Sequence, residues 1–291
     1  MKDIERLKEI LTFDEKVFIL PHYGEFGWLV IRIMRLMHIV KAPEKIICCH
    51  PGEEIYYPSA DEFYYDWKNS IPNRKIKGYY TSLEDKKQLI SKIKKKYHDY
   101  KIVDFSTIPI EDNFNFADII RKIGLDFCRR LESVIIKNIR YKLNPKINNI
   151  KTDVVFGARK RSRSSGKNWK YWNKLGELLK KKGLSYSVAG VKDQSYFVEG
   201  AICHAWQYES PSDASVEMIQ NCSLYIGSDT GTTHLASFIQ KPIITVGYQP
   251  KLDHSEYLSD SNGGYNIIHA NSQHFEKDFF KQIMREMKLI K

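Results

Sequence analysis

Strands alternating with helices along all 291 residues predict an α/β protein made of two domains. Two observations carry that expectation. Each half of the chain contains a short apolar strand run, a polar loop bearing glycine, and a helical pattern, which is the local signature of a parallel sheet. The alternation also stops at Asn144-Pro145-Lys146-Ile147-Asn148-Asn149, where proline and asparagine end a helix, and then restarts. The expected domains are therefore 1–147 and 148–291, facing each other across a cleft.

In the first half, Ile4, Leu7, Ile10 and Leu11 stand at helical spacing within residues 2–12. Residues 16–21 form a compact buried strand that ends in the loop His22-Tyr23-Gly24-Glu25-Phe26-Gly27-Trp28, and residues 29–40 are helical. Residues 45–50 form the next strand and 61–65 a further short one, while 66–81 are polar and irregular. Ser82 and Asp85 stand in capping-box spacing at the head of a helix reaching residue 97. A weaker strand follows at 101–105, and 115–143 reads as a long helical stretch divided by Gly124.

In the second half, residues 153–156 are a strand, followed by a basic loop over 157–167 and a helix over 168–182. That helix carries Trp169, Trp172, Leu175 and Leu178 on its apolar side. Residues 184–190 form the next strand, and Ser212 or Asp213 caps a helix through Gln220. Leu224-Tyr225-Ile226 is a strand, Gly227-Ser228-Asp229 a turn, 232–240 a helix, and 242–246 the strand that completes the sheet. A terminal amphipathic helix over 275–290 is able to pack back on the first domain.

Composition excludes several classes. Hydrophobic content of 42% and charged content of 28% belong to a globular protein, and no apolar run approaches the roughly 18 residues of a membrane span. The N-terminus has acidic residues where a signal peptide would be apolar, so the expected location is cytoplasmic. Cys48, Cys49, Cys128, Cys203 and Cys222 show no C-x-x-C spacing and read as free thiols. The formal net charge of +11 admits nucleic acid, an anionic membrane surface or phosphorylated small molecules as partners.

The stretch 223–247 carries the sharpest chemistry. Its loop falls where a strand ends and a helix begins, the place at which open α/β sheets bind ligands. Gly231 allows a close backbone approach, and Ser228, Thr230, Thr232 and Thr233 add hydroxyls beside the free amides of the first helical turn. Such a turn suits a phosphate; the alternative is a plain strand–helix turn with Asp229 as its N-cap. His234 lies one helical turn beyond Thr230, either to bond a phosphate and hold Asp229 or as a satisfied buried histidine.

Arg159, Arg161, Arg163 and Lys167 sit in the basic loop and project from the same sheet edge. Positive charge there matches the negative charge that builds on a departing diphosphate. The loop is not a P-loop, because its glycine spacing is too long and Asn168 stands where Ser or Thr is required. A flexible surface loop and a nucleic-acid contact are the competing readings. In the first domain, Glu25 is the candidate general base, with His22, Tyr23, Gly24 and Trp28 on the acceptor side. Its competing reading is a first-turn glutamate that complements the helix dipole. His22, His50 and His204 also stand at strand ends, but their spacing fits no zinc site. No D-x-D pair stands at a strand end, which favours metal-free chemistry with no cofactor.

Gly227-Ser228-Asp229-Thr230-Gly231-Thr232-Thr233-His234-Leu235-Ala236, followed by Lys241-Pro242, resembles the D-T-G-x-x-H-x-A signature of the heptosyltransferase-like glycosyltransferases, which build lipopolysaccharide cores. The basic loop, its helix and the strand ending in Gly190 follow in that family's order, and Gly24-Glu25 resembles its G-D loop. The resemblance implies a GT-B fold of two Rossmann-like domains and inverting, metal-independent sugar transfer from a nucleotide-sugar. It implies Glu25 as the base and Asp229, Thr230, Gly231 and His234 around the donor diphosphate, which the basic loop neutralises. Glutamate in place of aspartate, and a loop richer in arginine than the family's single lysine, are departures from the pattern. The expected partners are a nucleotide-sugar and a glycan or lipid-linked saccharide, with peripheral contact to an anionic membrane compatible with the charge. Two other functions compete: a nucleic-acid-binding protein using residues 159–167, and a relative that binds nucleotide without catalysis.

Overall fold

In a computed structural model the described residues are 2–22, 29–65, 83–106, 113–124, 135, 136, 139, 141–162, 168–228, 230–246 and 267–270. The chain divides into two compact units, Met1–Leu143 and Asn144–Lys291. Each holds a parallel sheet of its own.

The first unit opens with α1 (Lys2–Ile10) and β1 (Val17–Ile19). A π-helical turn, Leu29–Ile33, runs into α2 (Met34–Ile39), followed by β2 (Lys45–Cys48) and β3 (Glu62–Tyr64). Then come α3 (Leu83–Lys96), β4 (Lys101–Asp104), β5 (Phe114–Asn115) and α4 (Phe116–Ile123). The strands lie in the order β3-β2-β1-β4-β5, every pair parallel. Strand order reverses between β1 and β4, the point at which a doubly wound sheet opens a crevice at its carboxyl edge. Phe18, Leu20, Ile46, Leu89, Ile93 and Ile102 pack as one core cluster.

Two side chains explain polar residues inside this unit. Lys45 heads β2 yet is buried, because its ammonium donates to the carbonyls of Met37 (3.3 Å) and Val40 (3.0 Å) at the end of α2 and to Ser59 Oγ (2.8 Å). Asn115 caps α4 in a reciprocal capping box with Asp118, and Gly124 ends the helix at φ 77°. That left-handed residue is why the expected long helix over 115–143 stops after Ile123.

The second unit contains β6 (Val154–Gly157), α5 (Trp172–Lys181), β7 (Tyr186–Val188), α6 (Pro211–Asn221) and β8 (Leu224–Gly227). It continues with α7 (Gly231–Phe238), β9 (Ile243–Val246) and β10 (Ile267–Ala270). The order is β10-β9-β8-β6-β7, again all parallel, with the reversal between β6 and β8. Phe156, Trp172, Leu175, Tyr186, Ile226 and Val246 belong to its core, which explains the continuous apolar runs of the central strands.

Three expectations for this unit are corrected. The helix expected from residue 168 begins at Trp172, because the Asn168 side chain is engaged with the preceding loop. α6 is capped by Ser210, whose Oγ accepts from Asp213 N, with Pro211 as the first helical residue. Asp213 instead accepts from Lys146 N (2.8 Å), tying the 144–149 segment to α6. β10 also adds a strand beyond the one expected to complete the sheet. The expected Ser82 cap and the helix over 275–290 lie outside the described residues.

Candidate functional site

The reversal point of the second sheet brings together the two stretches singled out in the sequence. Gly157, the last residue of β6, pairs with Gly227, the last of β8, and Ser228 N lies 3.5 Å from the Gly157 carbonyl. The basic loop and the threonine turn therefore leave the sheet side by side. Arg163, Lys167 and Asp229 lie outside the described residues, as do Tyr23, Gly24, Glu25 and Trp28 of the first unit. His22 is half-buried two residues past Leu20, whose amide donates to Val103 O (2.9 Å) at the first sheet's reversal.

Tyr225 organises the turn from beneath. The phenol points along the sheet into space that only glycine leaves: a Cβ at Gly157 would lie 1.9 Å from its hydroxyl, and one at Gly227 would lie 2.6 Å from its ring. The Tyr225 hydroxyl donates to Thr232 Oγ1 (2.8 Å) and contacts Thr233 Oγ1 (3.3 Å). Thr230 Oγ1 closes the group at 2.9 Å from Thr232 and 3.3 Å from Thr233. Thr233 Oγ1 donates to the Ser228 carbonyl. Burial pushes the Tyr225 pKa up to about 12 against the opposing pull of these hydroxyls, so the phenol remains a donor near neutral pH.

Thr230 is the N-cap of α7 in extended conformation (φ −143°, ψ 167°), and its side chain makes no cap bond, being committed to the other threonines. Thr230 thus stands at the cap position that the plain-turn alternative gave to Asp229. The amides of Thr233 and His234 return to the Thr230 carbonyl, and Gly231 and Thr232 supply the leading amides of the helix. Ser228 is fully buried, and its hydroxyl has no hydrogen-bond partner among the described residues. A buried hydroxyl without a partner calls for one, and an anion at the adjoining helix N-terminus is one way to supply it. His234 is buried in the first turn of α7.

The start of the basic loop is ordered rather than loose. Arg159 forms a bridge with Ser195, Lys160 N donates to Gln194 O (2.8 Å), and Tyr196 N donates to Ala158 O (2.6 Å). The Lys160 ammonium rides 5.5 Å over the Tyr196 ring. The Arg159 guanidinium is buried and donates to Asn168 Oδ1. The same oxygen accepts from Arg161 N (3.1 Å), while Asn168 Nδ2 donates to Arg161 O (2.7 Å). Asn168 thus holds the start of the loop, at Arg159 and Arg161, with its side chain.

Of the other histidines, His204 is structural: its Nε2 accepts from Val198 N (3.1 Å), and its ring lies between Phe197 and Trp206, each 4.6 Å away. Among the described residues no group of three His, Cys, Asp or Glu side chains could hold a metal ion, and no helix is long and apolar enough to cross a membrane.

Comparison with solved structures decides the fold. The E. coli ADP-heptose lipopolysaccharide heptosyltransferase II superposes with a TM-score of 0.55 at 11% identity, covering 94% of this chain and 98% of its own. The fold is that of the heptosyltransferases. Another structure with the heptosyltransferase fold, E. coli WaaC with ADP, gives 0.52 at 14% identity over 94% of this chain and 100% of its own. A glycosyl transferase family 9 protein from Veillonella parvula gives 0.54 at 12% identity over 94% and 90%. No family model matches the sequence, and no curated protein matches it. The two sheets are accordingly the two Rossmann-like sheets of a GT-B fold.

Two residues of this region, and one of the first unit, escape sequence reading. Tyr225 looks like an ordinary strand aromatic, and its only signal is the glycine that ends each of two neighbouring strands. Asn168 carries none. Asp104, which ends β4 beside the first sheet's reversal, is a buried partner of Lys86 from α3 at 2.5 Å and accepts from Ser106 N (2.9 Å).

Proposed function

We propose that the chain is an inverting glycosyltransferase that moves a sugar from a nucleotide-sugar to a glycan or lipid-linked saccharide without a metal ion. The observation that carries this reading is the shared edge at Gly157 and Gly227, where a threonine-lined helix N-terminus with an unsatisfied buried hydroxyl adjoins an arginine-bearing loop. Amides and hydroxyls at a helix N-terminus, with a cation-bearing loop leaving the neighbouring strand, suit a diphosphate whose charge grows as it departs.

Glu25 takes the proton of the acceptor hydroxyl as that oxygen bonds to the anomeric carbon. The bond from that carbon to the donor phosphate oxygen breaks, and the nucleoside diphosphate leaves with the electron pair. Asp229, Thr230, Gly231 and His234 hold the diphosphate, with Arg159, Arg161, Arg163 and Lys167 balancing its charge. His22, Tyr23, Gly24 and Trp28 serve the acceptor. The net charge of +11 suits work in the cytoplasm against an anionic membrane surface that carries the acceptor.

The test is a thermal-shift panel of ADP, UDP, GDP and CMP, with ADP first because similar structures are of ADP-heptose enzymes. A nucleoside diphosphate is expected to raise the melting temperature, since ligand bound only to the native state stabilises it. The responding nucleotide names the donor base. Glu25→Gln should then abolish most turnover while leaving that shift intact. Absence of any shift with all four nucleotides, alongside binding to single-stranded nucleic acid that weakens steeply with salt, would overturn the reading.

A further inference from the structure

The threonine turn rests on a residue from the strand beneath it. We propose that Tyr225 is a positioning residue of the donor site, acting through Thr232 and Thr233 to hold the hydroxyls that meet the diphosphate. This inference rests on the diphosphate reading of the turn and adds a residue to it.

Thr233 gives its proton to the Ser228 carbonyl, so its oxygen is left to accept. Tyr225 gives its proton to Thr232, so that oxygen accepts as well. One proton satisfies the 2.9 Å contact between Thr230 and Thr232, whichever of the two donates it. The other proton of that pair can then be directed to an anion above the turn. With phenylalanine at 225, Thr232 loses the donor that ties its oxygen to the strand beneath. The Thr230–Thr232 pair is then less restricted in where it presents its remaining proton.

Space supports the same conclusion. The phenol reaches the threonines only because two neighbouring strands end in glycine, and a methyl group at either position would collide with it. A strand built for packing alone gains nothing from this arrangement. Leu224 and Ile226, on either side of Tyr225, carry no polar side-chain atom.

The test compares wild type with Tyr225→Phe, Thr232→Val and Thr232→Ser. The probes are the nucleoside diphosphate that shifts wild type most and inorganic pyrophosphate, each titrated by calorimetry. Tyr225→Phe and Thr232→Val should each weaken binding by about 3- to 10-fold, the scale of one hydrogen bond, and the double variant by no more than the worse single. Thr232→Ser, which keeps the hydroxyl, should bind within about twofold of wild type. The ligand-free melting temperature of Tyr225→Phe should stay within about 2 °C of wild type. Wild-type affinity in Tyr225→Phe would overturn the positioning role while leaving the diphosphate site standing. A melting temperature that falls together with affinity would also overturn it, reducing Tyr225 to a packing residue. Should Tyr225→Phe fail to fold, the Val and Ser pair at 232 decides: equal affinities sink the proposal. If wild type binds neither probe, the diphosphate reading fails first and this one with it.

Discussion

At Gly157 a single methyl group separates a working turn from a collision. Alanine there would set its Cβ 1.9 Å from the Tyr225 hydroxyl and 2.8 Å from the ring carbon that bears it. Gly157→Ala is expected to lower stability by about 1–3 kcal/mol, the usual cost of overpacking. Removing the hydroxyl as well takes away the worst contact but not the second. Gly157→Ala/Tyr225→Phe should therefore unfold at higher denaturant than Gly157→Ala alone, a coupling that urea titration of the four proteins measures directly. A second prediction concerns charge. The His38 ring stacks 3.8 Å from Tyr141, and burial, with the nearby Lys45 ammonium, holds its pKa at about 4. Above about pH 6.5 the imidazole is neutral in both folded and unfolded chains. Between there and about pH 4 only the unfolded chain takes up the proton, so stability falls as the solution is acidified. His38→Gln should flatten that slope in urea unfolding followed from pH 7 to pH 4. His204, pushed the same way by burial, leaves a residual slope.

Among the elements, the described start of the basic loop takes its side-chain anchor from Asn168, beside the backbone bonds to residues 194–196. Asn168 makes hydrogen bonds to Arg159 and to both the amide and the carbonyl of Arg161. Asn168→Ala should cost about 1–3 kcal/mol and open the 159–167 segment, which is rich in trypsin sites. Limited trypsinolysis read by mass spectrometry should show cleavage there about tenfold faster than in wild type, before cuts elsewhere. A parallel case is the start of α6. Ser210→Ala should cost about 1 kcal/mol and Ser212→Ala close to nothing, because only Ser210 accepts from an amide of the first turn. The contrast shows what a sequence conveys about elements. Ser210, Ser212 and Asp213 are all plausible caps, and choosing among them requires knowing that Lys146 N already occupies one oxygen of Asp213. Asn168 likewise sits in a good helical pattern, and its competing use by the loop is a long-range fact. Strand positions are more legible, since an apolar run between glycines is local chemistry: β1, β2, β3, β4, β7 and β9 fall within the expected segments, while β6 and β8 each run one residue past theirs, to Gly157 and Gly227. The short β5 and the late β10 did not carry such a run.

For the molecule as a whole, the strand orders are what no local pattern contains. The first sheet runs β3-β2-β1-β4-β5, whereas in the second the first strand of its unit, β6, lies between β7 and β8. Both arrangements nevertheless put the reversal of order beside the first strand of the unit. That is why the glycine-ended strands, which were legible, turn out to be neighbours at a crevice, which was not. Every described residue of the proposed donor site comes from the second unit: β6, β8, α7, Asn168 and residues 194–196. That unit also has a core of its own around Phe156, Trp172 and Leu175. Residues 144–291 expressed alone should therefore unfold in one cooperative transition by circular dichroism. The fragment should bind the same nucleoside diphosphate within about threefold of the full chain, because it keeps every described residue of the proposed donor site. Sugar transfer should disappear completely, since Glu25 and the acceptor loop are gone. A fragment that folds but no longer binds the diphosphate would mean that the first unit supplies part of the donor site, and the assignment of donor to one sheet and acceptor to the other would have to be redrawn.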